Sequence, residues 1–194
     1  MLHQVMMRLA RFMAVLGGAA LSALILLTCA SVLGRTLNGA LHGPVEALAP
    51  GFSQWLLDLR IGPITGDFEL VEAGIAFAIF AFLPLCQITS GHASVDIFTA
   101  RLPDRAIKVL RAAIEIVFAA VLIVITWKLY DGMMSKMGYG ETTFLLQFPT
   151  WWAYAASLVG AVVTSVVAIY MAAMRTIEAF GNSDLVPDGA EAEH

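Results

Sequence analysis

Charge is what this chain has least of. Only 13% of its 194 residues are Asp, Glu, Lys or Arg, about half the share of an ordinary soluble domain. Hydrophobic residues make up 59%, and the mean hydropathy is +0.81. So few charges cannot cover a water-facing surface of this size, which excludes a soluble globular protein. Cysteine is nearly missing as well. Cys29 and Cys86 are too few for a disulfide scaffold and do not form a metal-ligand pattern. Basic residues are not in excess: 11 Lys and Arg stand against 15 Asp and Glu, for a formal charge of −4, which argues against a nucleic-acid partner. The histidines His3, His42, His92 and His194 lie outside the centres of the apolar runs and offer no axial pair for a haem. Nucleophile elbows, phosphate loops and metal-spaced His/Cys clusters are absent. The sequence therefore predicts neither an enzyme nor a bound cofactor.

What the chain does have is long apolar runs. A membrane-crossing helix needs about 20 mostly apolar residues to span about 30 Å of hydrocarbon. Residues 12–33 and 148–174 meet this without a single charge. Residues 68–88 carry Glu69 and Glu72 in their first turns, and residues 109–130 carry Arg111, Glu115 and Lys128 toward their ends. Side chains at such positions can snorkel or pair. The expected fold is an all-α membrane protein with four transmembrane helices, in one domain over residues 1–175. Asp67 is placed to cap the second helix, and Glu69 suits the positive end of its dipole. A cleaved signal peptide is the competing reading of the first run, but that run is longer than the usual apolar core of such a leader. An uncleaved anchor is expected.

Loop charges predict the orientation. Arg8, Arg11, Arg101, Arg105, Lys108, Arg111 and Arg175 fall on one side, and Arg35, Arg60, Lys128 and Lys136 on the other. The positive-inside rule then places both termini in the cytoplasm. Trp127, Tyr130, Trp151, Trp152 and Tyr154 mark the opposite boundary. That placement separates Cys29 from Cys86 by much of the bilayer, too far for a disulfide. From Thr176 onward the chain is polar and acidic and reads as a disordered tail.

The connection 36–66 contains Phe52, Trp55, Leu56 and Leu59 at helical spacing. This predicts a short amphipathic helix, either lying in the membrane interface or docked on the bundle. The basic stripe Arg101, Arg105, Lys108 and Arg111 suits anionic membrane lipid better than nucleic acid. In the fourth run, Ala156, Gly160, Thr164 and Ala168 form one row of small residues, and Ala153, Ser157, Ala161 and Ser165 another. Shorter rows, Gly18 with Ser22 and Ala19 with Ala23, occur in the first run. Such rows let membrane helices approach closely, either within the chain or against another subunit, and the internal use is the default. Arg35, at the end of the first run, is expected either to pair with Glu69 or Glu72 or to be solvated separately from them. Arg111 and Glu115 form an i,i+4 pair, and His92 and Asp96 could share a hydrogen bond or meet a partner. Glu115 has no second mid-membrane carboxylate with which to relay protons.

The segment Gly91-His92-Ala93-Ser94-Val95-Asp96, followed by Leu102-Pro103, joins Arg35, Glu69-Leu70, Gly140-Glu141-Thr142-Thr143, Phe148-Pro149 and Trp151-Trp152 in a fixed order on four spans. That order resembles the small membrane subunit of tripartite ATP-independent periplasmic (TRAP) transporters, the DctQ-type small permeases. Ala93 stands where isoleucine is common in that family, and the connection 36–66 is longer than is usual. The resemblance covers about residues 12–175. It implies a multi-pass subunit of the bacterial inner membrane, a scaffold working with a large permease subunit and a periplasmic substrate-binding protein. The transporter it implies imports an organic-acid-like solute, driven by an ion gradient. Arg35, Glu69, Glu72, His92, Asp96 and Gly160 are the candidate structural or interface residues. Two other readings are a self-sufficient transporter or channel built by homo-oligomerisation, and a haem-bearing enzyme anchor.

Overall fold

A computed structural model describes residues 2–43, 51, 54, 62, 64–91 and 103–181. It contains four long helices, α1 (Leu2–Leu41), α2 (Asp67–Ile88), α3 (Asp104–Tyr139) and α4 (Trp151–Phe180). All four are long and apolar enough to cross a membrane. Glycine and proline set several of the ends. Gly66, in the left-handed region at φ 80°, precedes α2, and Pro103 precedes α3 in extended conformation. Gly140, at φ 63°, closes α3 with its amide directed back at the last turn, where glycine meets no Cβ penalty. The polar flanks of the apolar runs hold no proline, so α1 and α3 overrun them. At 1.5 Å per residue, their 40 and 36 residues reach about 60 and 54 Å, well beyond the hydrocarbon thickness.

The helices stand in the spatial order α1, α2, α4, α3. Helix α4 packs against both α2 and α3, α1 packs on α2 and touches α4, and the α2 and α3 backbones do not approach each other. One end of this row holds the start of α1 and the end of α4 (the termini end), and the other is the far end.

A seven-residue repeat joins α1 to α2. All six buried residues of α1 (Ala10, Met13, Gly17, Ser31, Gly34 and Leu41) fall on two series spaced by seven, the period of left-handed supercoiled pairs. One series meets its counterpart on α2 position by position. Ala10 clusters with Ile88, Gly17 faces Ala81, Leu24 faces Gly74, and Ser31 bonds to Asp67. A Cβ on Gly17 would lie 2.8 Å from that of Ala81, and one on Gly74 would lie 2.6 Å from Leu24. The first-run rows chosen from sequence are not this seam. Ala19, Ser22 and Ala23 are exposed, because the seam repeats every seven residues and not every four.

Helix α4 is the centre of the row. Its approach to α2 is set by Gly160, where a Cβ would lie 2.8 Å from that of Phe80. Pro84, buried inside α2, has no N–H, so the Phe80 carbonyl one turn earlier loses its helical donor. The Thr164 hydroxyl lies 3.0 Å from that carbonyl and 2.8 Å from the Gly160 carbonyl. Its single proton serves a backbone acceptor that lipid could not satisfy. Toward α3, Thr126 Oγ1 donates to the Ala161 carbonyl at 3.2 Å and lies 2.8 Å from Ser165 Oγ. Ala119, Leu122, Ala168 and Ala172 fill the contact one turn further on.

Helix α4 also runs past the expected start of the tail. Residues 176–180 are helical, and Glu178 is buried at 4% exposure. The reason is Arg175, itself 7% exposed, whose Nη1 donates to Glu178 Oε2 at 2.9 Å. A buried charge needs a partner, and the acid that read as part of a solvated tail supplies it.

Candidate functional site

Polar side chains gather at the two ends of the row. At the far end, Asp67 begins α2, and its Oδ1 accepts from the Phe68 amide at 2.9 Å. Its Oδ2 accepts a 2.5 Å bond from Ser31 and lies 3.5 Å from Arg35 Nη2. Arg35 therefore turns to Asp67, neither to Glu69 nor to Glu72. The seven-residue seam places Asp67 opposite Ser31, one turn from Arg35, which is why the aspartate is the partner. Asp67 is also the first helical residue, with Gly66 in the capping position.

Glu69 has a different task. Its two carboxylate oxygens accept the backbone amides of Leu145 and Leu146 at 2.6 and 2.9 Å. These amides belong to the α3–α4 connection, a tight hairpin. There Thr143 N donates to the Phe148 carbonyl and Thr150 N to the Glu141 carbonyl, each at 3.0 Å. Lys136 bonds Glu141 at 2.6 Å, and Gln147 takes φ 54° at the turn. Leu146 seats against Gly66, where no Cβ would fit. The Gly140-Glu141-Thr142-Thr143 and Phe148-Pro149 pattern thus folds a clasp that Glu69 fastens to the start of α2.

Below this clasp, between α2, α3 and α4, lies a cavity of about 320 Å³, lined by residues that include Glu69, Glu72, Phe80, Leu129, Tyr154 and Ser157. At the termini end, Gln87, 1% exposed, donates through Nε2 to Glu115 and ties α2 to α3. Arg175 Nη2 reaches Ser90 Oγ at 3.2 Å, and His3 Nδ1 lies 3.2 Å from the Tyr170 hydroxyl.

The structure brings together Arg35 with Asp67, and Glu69 with the α3–α4 connection. It places Glu72 on the cavity wall and Gly160 at the α2–α4 crossing. His92 and Asp96 lie outside the described residues, as do Phe52, Trp55, Leu56 and Leu59. Among the polar contacts that sequence reasoning missed are those of Ser31 with Asp67 and of Gln87 with Glu115. The sevenfold spacing of Ala10, Gly17, Leu24 and Ser31 would have found the first. Gln87, a lone amide near the end of an apolar run, is the signal for the second. No group of three or more potential metal ligands occurs among the described residues. Cys29 and Cys86 form no disulfide.

A family model described as "Tripartite ATP-independent periplasmic transporters, DctQ component" matches residues 24–178. No curated protein and no solved structure matches the chain.

Proposed function

This chain belongs to the DctQ component family of TRAP transporters, and from that premise we propose that it is the small scaffold subunit of an ion-driven importer of an organic-acid-like solute. Its working partners in this reading are a large permease subunit, which carries substrate and coupling ions, and a periplasmic substrate-binding protein. Its place is the bacterial inner membrane, with both termini cytoplasmic, as the loop charges favour.

The observation that carries the reading is the single-row arrangement. Helices α1 and α3 stand at its two edges and keep large apolar side chains exposed along their length, among them Leu26 and Val15 on α1 and Val117 and Ile114 on α3. Lipid can cover such faces, and so can a larger membrane subunit. The interhelical polar contacts support the same view. Ser31 with Asp67, Thr126 with Ser165, and Gln87 with Glu115 each tie one helix to another. Groups spent in this way hold a shape and do not line a path.

Co-purification in mild detergent with a much larger membrane protein tests the proposal, followed by uptake in vesicles with and without this chain. The expected result is a stable complex, with uptake lost when the small subunit is omitted. Full substrate uptake by vesicles holding this chain alone would refute it and favour a homo-oligomeric transporter.

A further inference from the structure

The far-end cavity ties no helix to another. Two of its lining groups set it apart. Glu72, exposed on the wall formed by α2, makes no hydrogen bond or ion pair among the described residues. Its neighbour Glu69 is engaged by the two amides of the clasp, so Glu72 is the open counter-charge. Ser157 is 2% exposed, and its Oγ is buried without a partner. Hydroxyls in apolar helices normally bond the carbonyl one turn back. Ser22, Thr28, Thr36, Thr89 and Thr176 all do so here. Ser157 does not, and an unpaired buried hydroxyl costs free energy.

The depth of the cavity is also defined. A Cβ on Gly132 would touch the Tyr154 ring, which puts Leu129 and Ser157 at one level, beside Trp127 and Tyr130 of α3 and within two turns of Trp151 and Trp152. Tryptophan and tyrosine gather where bilayer meets water. The cavity therefore sits at headgroup depth, with apolar walls from Ala73, Ala76, Phe80 and Leu129.

A ligand suited to this place brings a positive charge, N–H donors and an apolar body. A primary ammonium supplies one unit charge and three donors, enough for the Glu72 carboxylate and the Ser157 hydroxyl together. A quaternary ammonium supplies charge without donors, and an anionic headgroup meets a carboxylate. We propose that this cavity binds a phospholipid whose headgroup carries a primary amine, such as phosphatidylethanolamine. The ammonium lies between Glu72 and Ser157, and the remainder of the lipid passes Phe80, one turn deeper at Gly160. This assignment goes beyond the scaffold reading and does not rest on it.

The test uses the full chain, purified in mild detergent and stripped of lipid. It is reloaded with phosphatidylethanolamine, its N-methylated derivatives, phosphatidylcholine or phosphatidylglycerol, and bound lipid is read by native mass spectrometry. Retention should favour phosphatidylethanolamine over phosphatidylcholine by about tenfold, the effect of about 1.4 kcal/mol, and should fall with each N-methyl added. Glu72→Gln should bring the two lipids level. Ser157→Ala should lower phosphatidylethanolamine retention severalfold and leave phosphatidylcholine unchanged. Equal retention across the methylation series in the unaltered protein would overturn the proposal, and that arm needs no variant to fold. A preference for phosphatidylglycerol, a preference that survives Glu72→Gln, or displacement of the lipid by free ethanolamine at matched concentration would also overturn it.

Discussion

Replacing Thr164 with valine keeps the shape of the side chain and removes its hydroxyl. The Phe80 carbonyl, whose helical donor is already missing at Pro84, would then have no partner in the α2–α4 contact. Interhelical hydrogen bonds in membranes contribute about 0.6 kcal/mol on average and up to about 1.7. An acceptor left bare in a buried contact belongs at the upper end, so Thr164→Val should cost about 1–2 kcal/mol. A second substitution isolates the cause. Pro84→Ala restores an amide at position 84, which can bond the Phe80 carbonyl within α2 itself. In that background Thr164→Val should cost less than about 0.5 kcal/mol, a coupling of about 1 kcal/mol between side chains on different helices. Unfolding free energies of the four proteins, measured by steric trapping in bicelles, give the coupling directly. If Thr164→Val costs the same with proline or alanine at position 84, the hydroxyl does not serve the proline-freed carbonyl and the reasoning fails.

Other contacts give sharp expectations. Arg35, 57% exposed at 3.5 Å from Asp67, should cost less than about 1 kcal/mol when changed to alanine. Ser31→Ala should cost more, about 1–2 kcal/mol, because Ser31 is fully buried and its bond is short; the ranking of the two losses is the readout. Glu69→Ala should release the clasp, seen as at least about tenfold faster hydrogen exchange at the Leu145 and Leu146 amides, with the middle of α4 unaffected. Glu178→Ala leaves Arg175 buried beside a missing acid and should cost about 3–5 kcal/mol. Replacing both residues by methionine should cost less than either single change, as thermal melting in detergent would show.

Apolar length alone made the four helices legible, because crossing hydrocarbon is a one-dimensional requirement written directly in residue order. The ends were less legible. Leu2–Arg11 and Asp131–Tyr139 hold no proline, so α1 and α3 continue past the apolar runs, and α3 ends only at the left-handed Gly140. Partners were least legible. Arg35 sits near three acids in sequence terms, and only the packing register decides for Asp67. Glu178 reads as tail because composition cannot see that α4 has one more turn and that Arg175 is buried within it. The small-residue rows of α4 could be read, since a central helix uses two faces. Those of α1 do not build the internal contact that is the default, because an edge helix with a sevenfold seam leaves its fourfold rows outside.

The position of α4 also has a consequence in time. Ribosomes deliver helices in chain order, and α3 is made before the one helix it packs against. When α1 and α2 have left the ribosome, their seam of Ala10, Gly17, Leu24 and Ser31 can already close. Helix α3 then enters the bilayer with Thr126 and Ala119 facing lipid, while the Phe80 carbonyl on α2 waits without a donor. Both vacancies end together when α4 slides between its neighbours. The last span to be synthesised is thus the wedge that converts a helix pair and a stray helix into one body. A nascent chain stalled before residue 150 would lack that wedge, leaving the Thr126 hydroxyl and the Phe80 carbonyl without the partners α4 brings.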